Sequence, residues 1–116
     1  VIGEDKVWPR SIEAQLHHRN AGDIWNIGDF QMETDSNRTN GRRTVKRQPS
    51  NERPLGEWNQ YRITLDGSDL TLEVNGQVQN RASWCEEVPG FIALQSEGSE
   101  IHFRRVTLRP LTDPGR

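Results

Sequence analysis

An all-β, antiparallel fold is predicted by three features of the sequence. Apolar and polar residues alternate in short blocks, the period of a strand with one buried face. The blocks recur at intervals of roughly 8–12 residues with turn chemistry between them, the spacing of sandwiches and jelly rolls. No segment keeps the 3.6-residue period of an amphipathic helix. The predicted architecture is a single antiparallel β-sandwich or jelly roll over residues 1–116.

Composition bounds the reading. A chain of 116 residues is one domain at most, with a modest core. Hydrophobic content is 31% and charged content 28%, polar for a globular chain. A net charge of −2 gives no overall pull toward nucleic acid or an anionic membrane, so neither is expected as a partner. Cys85 is the only cysteine, which rules out an intrachain disulfide. No apolar run approaches the ~18 residues of a membrane-spanning helix.

In chain order, residues 1–10 with Gly3 and Trp8-Pro9 form a lead-in loop. Residues 11–17 alternate strictly: Ile12, Ala14 and Leu16 on one side, Ser11, Glu13, Gln15 and His17 on the other. A turn at 18–22 leads to a short strand over 23–27 containing Trp25, and a third strand is expected over 30–33. Residues 36–53 carry six basic side chains (Arg38, Arg42, Arg43, Lys46, Arg47, Arg53) against Glu52 alone. A phosphate-binding patch is one reading of that segment, but without interleaved aromatics stacking on bases has no support. The favoured reading is a solvated loop around a short strand over 43–47.

Further on, Tyr61, Ile63 and Leu65 alternate up to Asp66-Gly67, and Leu70, Leu72 and Val74 up to Asn75-Gly76, the strongest short hairpin signal. A two-residue loop there would set Leu72 and Val74 beside Gln79 and Gln77. An odd loop that aligns Val74 with Val78 keeps the apolar faces together and is preferred. Strands are expected over 91–95 and 101–108, the last with a bulge at Arg104-Arg105 where the apolar parity changes. The predicted buried set is Ile12, Leu16, Ile63, Leu72, Ile92, Leu94 and Phe103.

The polar row Glu13, Gln15, His17 is the first candidate site. Its members lie roughly 6–7 Å apart along a strand. Facing a concave sheet surface, the row is a binding or catalytic array; facing outward, it is a solvated strand face. Trp25, Trp58 and Trp84 can stack on sugar rings, although tryptophan in a sandwich is more often core. Asn59 and Gln95 can equally serve to satisfy backbone groups. His17 and His18 point to opposite sides of a strand and make no metal motif, so no metal ligand is assigned. Calcium or another divalent cation held by carboxylates and carbonyls stays open, as does the cofactor question generally. Cys85 has no paired histidine motif and is expected to be inert.

Residues 9–16 (PRSIEAQL), 21–25 (AGDIW), 56–59 (GEWN), 74–76 (VNG), 90–98 (GFIALQSEG) and 103–106 (FRRV) together resemble the 3-keto-disaccharide hydrolase domain family. The resemblance runs in order over 9–111. It implies a concanavalin-like jelly roll, a bacterial source and a periplasmic or extracellular location. It also implies hydrolase or glycosidase activity on the glycosidic bonds of 3-keto-disaccharides and other 3-keto-glycosides. A C3 ketone acidifies the C2 hydrogen, so a base can remove it and the C1 oxygen can leave; ordinary acid–base hydrolysis is the other route. Glu13 or His17 is then the candidate base and Gln15 an oxyanion donor, with Glu97 a further catalytic residue; for ordinary two-carboxylate hydrolysis the second acid would be Glu97 or Asp23. Asp23, Trp25, Glu57, Asn59 and Gln95 are candidate contacts to the carbohydrate ligand. The alternative is a non-catalytic carbohydrate-binding or adhesion module of the same fold.

Two departures from the family pattern stand out. The family has several strands before its Glu-x-Gln strand, so the chain is expected to correspond to the C-terminal part of the domain, with N-terminal strands missing. Pairing with that segment, or homo-oligomer formation, would cover the open face. Arg104-Arg105 also stands where the family has Arg-Asn.

Overall fold

The computed structural model describes residues 1–2, 9–96 and 98–111. Among them it contains strands β1 (Ser11–Ala14), β2 (Ile24–Ile27), β3 (Thr39–Asn40), β4 (Arg43–Thr44), β5 (Tyr61–Asp66), β6 (Asp69–Val74) and β7 (Gln77–Ala82), and no helix. They form two antiparallel sheets, β1-β2-β4-β3 and β5-β6-β7. No helix among the described residues is long and apolar enough to cross a membrane.

The first sheet follows from the alternation in 11–16. Ile12 pairs with Asn26, Ala14 with Ile24, and Ile24 with Thr44. Directly paired residues point to the same side, so Ile12, Ala14 and Ile24 share the core side, and Ser11, Glu13, Trp25 and Arg43 share the other. β1 ends where the Gln15 side chain turns back: its Oε1 accepts the N–H groups of Leu16 (3.2 Å) and His17 (3.3 Å). Gly22 then returns the chain at φ +105°, and a Cβ there would lie 2.6 Å from the Gln79 Cβ of the other sheet. Only glycine permits both this conformation and this approach.

The second sheet is built from two tight hairpins. Asp66 pairs with Asp69 around Gly67-Ser68, and Val74 pairs with Gln77 around Asn75-Gly76, whose φ angles are +49° and +82°. Two left-handed residues are the mark of a type I′ turn. The odd loop preferred from the sequence is therefore corrected to a two-residue loop. Parity is restored by a bulge between Leu72 and Glu73: Glu73 faces Val78, but Leu72 faces Asn80. Gln79 is the extra residue of the bulge. It is fully buried, and its amide donates to Asn51 Oδ1 (2.8 Å) and Pro49 O (3.2 Å) while its Oε1 accepts Gln48 N–H.

The sheets share a core of Ile24, Leu70, Leu72, Ala82 and Cys85, with Ile12, Ala14, Met32 and Tyr61 packed against it. This is the arrangement of a β-sandwich. Asn80, fully buried, links the layers: its Nδ2 donates to Gly22 O (3.0 Å) and Thr44 O (2.9 Å), and its Oδ1 accepts Arg38 Nη1 (3.0 Å). Arg10 lies over the buried Phe30 ring at 4.1 Å and donates to Glu86 (2.7 Å). The Gln31 N–H, with Arg10 beside it, holds the Glu86 carboxyl below its ordinary range.

Other expectations are corrected here. Residues 30–33 form no strand; Glu33 makes an isolated bridge with Ser83, and Phe30 is fixed by two 2.8 Å bonds with the Asn26 carboxamide. Residues 91–95 and 101–108 contain no strand, and Arg105 adopts φ +53°. Among the described residues no ladder forms beside them, apart from Val1 exchanging two backbone bonds with Phe91. Of the predicted buried set, Leu72 is fully buried and Ile12 half-buried, whereas Leu16, Ile63, Ile92, Leu94 and Phe103 are exposed. Leu16 lies beyond the end of β1, Ile63 sits on the edge strand β5 beyond the reach of the first sheet, and the last three belong to the strandless segment.

Candidate functional site

Four of the sequence candidates, Glu13, Gln15, Asp23 and Trp25, lie on the side of the first sheet that faces away from the core. Glu13 pairs directly with Trp25. The ladder continues one step past β1, with Gln15 N–H donating to Asp23 O at 3.0 Å and Gly22 N–H to Gln15 O at 3.1 Å. Glu13, Gln15, Asp23 and Trp25 thus form a two-by-two block on adjacent strands. Arg43 of β4 pairs with Trp25 and extends the block.

Asp23 is fully buried. A buried carboxylate needs compensating donors, and it has three. Arg43 donates through Nε (2.9 Å) and Nη2 (2.7 Å) to Oδ2, and the Lys46 N–H donates to Oδ1 (2.8 Å). The Arg43 guanidinium carbon sits 5.9 Å from the centre of the Trp25 ring, within cation–π range. The Trp25 indole Nε1 is buried with no hydrogen-bond partner among the described residues. Tyr61 borders the block from the second sheet, donating to Gln15 O at 3.3 Å. Burial raises the pKa of its phenol, and the charges of Asp23, Glu13 and Glu52 add to the rise.

The remaining candidates lie apart from this block. His17 sits in an exposed turn, its Nδ1 3.2 Å from Asn20 Nδ2. The neighbouring His18 approaches Glu52 at 3.6 Å. Glu57 is exposed, with its N–H on Pro54 O. Asn59 accepts the Arg53 N–H (2.8 Å) and Asn75 Nδ2 (2.9 Å), so its oxygen braces the β6–β7 turn. Gln95 is exposed in the strandless segment, and Glu97 lies outside the described residues. Trp58 is covered on one side by Arg104 at 4.0 Å, and Trp84 is exposed. Among the described residues no group of three or more His, Cys, Asp or Glu is placed to hold a metal ion. Cys85 is buried, and burial raises its thiol pKa.

Two residues of the block were not among the sequence candidates. Arg43 was one of six cations in a loop, and only its register beside Trp25 sets it apart. Tyr61 was read as an apolar strand position; its hydroxyl reaches the other sheet.

A family model described as a 3-keto-alpha-glucoside-1,2-lyase-like domain matches residues 2–109. No curated protein and no solved structure matches the chain.

Proposed function

The chain belongs to the 3-keto-alpha-glucoside-1,2-lyase-like domain family, and on that premise we propose that it cleaves the glycosidic bond of 3-keto-glycosides by removing the C2 proton. The observation that carries the proposal is the block of Glu13, Gln15, Asp23 and Trp25 on one sheet face. Trp25 supplies a flat surface for a sugar ring. Glu13 is the base, since it adjoins Trp25 while His17 lies in the outer turn. The ketone makes the C2 hydrogen acidic. Its removal gives an enolate, whose collapse expels the C1 oxygen as an alcohol and leaves a C1–C2 double bond conjugated to the ketone. Addition of water to that product would complete a net hydrolysis. Gln15 can contribute its Nε2 donors, because its Oε1 is engaged by Leu16 and His17 N–H groups.

The test is turnover of a methyl 3-keto-α-glucoside by the wild-type chain and by Glu13→Gln. Loss of a general base is expected to lower kcat by roughly 10²–10⁴, with a stability change below about 1 kcal/mol. A well-folded Glu13→Gln chain with undiminished turnover would remove Glu13 from the mechanism. Saturable sugar binding by the wild type with no turnover would favour the carbohydrate-binding module instead.

A further inference from the structure

One feature of the block exceeds what sugar stacking and a base require: an arginine on the strand flanking Trp25 opposite Glu13, bound to Asp23 and left partly exposed. Glu13, Trp25 and Arg43 are consecutive partners across β1, β2 and β4. At a strand spacing of about 4.8 Å, the carboxylate and the guanidinium arise roughly 10 Å apart on either side of the indole. That gap is wide enough for a pyranose ring lying on Trp25 to meet one group at each edge.

The guanidinium is held but not enclosed. Nε and Nη2 both donate to the buried Asp23 Oδ2, which fixes the plane of the group. Nη1 has no hydrogen-bond partner among the described residues. The side chain keeps 36% of its surface exposed, whereas Asp23 keeps none. An arginine that served only to neutralise Asp23 could be covered completely. This one presents an oriented, permanently charged donor to the face that carries Glu13.

We propose that Arg43 recognises the C3 oxygen of the 3-keto sugar and holds the negative charge that develops there, with Asp23 as the residue that positions it. The inference rests on the proton-abstraction reading above. As the C2–H bond breaks, the proton passes to the Glu13 carboxylate and the electron pair forms the C2–C3 enolate, its charge on O3 beside Arg43 Nη1. The pair then moves into a C1–C2 double bond as the C1–O bond breaks. O3 becomes a carbonyl again, the departing oxygen takes a proton from water, and Glu13 releases the C2 proton to solvent, so the step balances with water alone. An oriented donor at the developing oxyanion acts mainly in the transition state. Arg43 would also favour the ketone, a pure acceptor, over the C3 hydroxyl of the unoxidised glucoside.

The experiment compares wild type, Arg43→Lys and the double variant Asp23→Asn/Arg43→Gln, which leaves no buried carboxylate without its cation. Each is assayed for kcat and KM with methyl 3-keto-α-glucoside. Binding of that sugar and of methyl α-glucoside is followed by tryptophan fluorescence, with thermal unfolding as the check on folding. The expected result is a fall in kcat of roughly 10²–10³, the range for loss of one oxyanion donor, in whichever variants fold. A loss of at least about tenfold in preference for the keto sugar should accompany it, the scale of one 1.4 kcal/mol contact. A folded variant that keeps wild-type kcat and keto preference overturns the role of Arg43 and leaves Glu13 untouched. A wild-type chain that neither turns over nor binds the keto sugar overturns the functional reading itself, and this inference with it.

Discussion

Tyr61 reaches out of β5 to the first sheet, where its hydroxyl donates to the Gln15 carbonyl across a 3.3 Å gap. Burial, reinforced by the charges of Asp23, Glu13 and Glu52, raises its pKa above the ordinary 10.0. The raised value means that folding favours the neutral phenol. Its contribution to stability is complete below the unfolded pKa and disappears as pH rises past about 10 toward the folded value. Tyr61→Phe is expected to flatten the alkaline loss of stability in urea titrations between about pH 9 and 12. At neutral pH it should cost no more than about 1 kcal/mol, the range of a single long hydrogen bond. An unchanged alkaline slope would place the sensitivity elsewhere. Strand alternation put Glu13 and Gln15 in one row with His17, which the structure instead places in the turn. Asp23 and Trp25 entered apart from that row, as contacts implied by the family resemblance; their register beside Gln15 and Glu13 comes from the structure. Sequence reasoning could not place Arg43 or Asn80, whose partners at Asp23, Gly22 and Thr44 lie far along the chain.

The hairpins show how a strong local signal and a long-range one combine. Asn75-Gly76 demands a two-residue turn, yet that turn alone would put the apolar residues of β6 opposite the polar ones of β7. The chain satisfies both demands by inserting Gln79 as a bulge. No periodicity count reveals a bulge whose extra residue is a buried glutamine, because its side chain is stabilised by the 48–51 loop rather than by its neighbours. Asn75 is the hinge of this element. It tolerates φ +49°, and its side chain donates to Asn51 O (3.0 Å) and Asn59 Oδ1 (2.9 Å) and accepts the Gln60 N–H (2.8 Å). Asn75→Ala loses the side-chain bonds and also strains a left-handed position, at about 1–2 kcal/mol for the backbone alone. Asn75→Gly loses the bonds without the strain. Denaturant midpoints should therefore rank wild type above Asn75→Gly above Asn75→Ala. Equal losses for the two variants would show that the turn is not held in the left-handed region.

Across the whole molecule, apolar surface is distributed unevenly. The first sheet covers Leu70 and Leu72, but Ile63 and Leu65, on the same side of the second sheet, are 56% and 59% exposed. They belong to β5, the edge of its sheet. Phe91, Ile92, Leu94, Val106 and Leu108 add further exposed apolar side chains from the strandless segment. An open edge beside an apolar face is a template for pairing. β5 is also complementary to itself. With a two-fold axis at Thr64, antiparallel pairing sets Ile63 opposite Leu65 of the second copy and Arg62 opposite its Asp66, a contact of closed symmetry. The 116-residue chain is therefore expected to associate reversibly through β5. Sedimentation should show a weight-average mass that rises with concentration. Ile63→Lys/Leu65→Lys should return the chain to a monomer, because a like-charged pair would then meet on either side of the axis, both on one face. A wild-type chain that stays a single monomeric species at every concentration tested would show that this face is covered by other means.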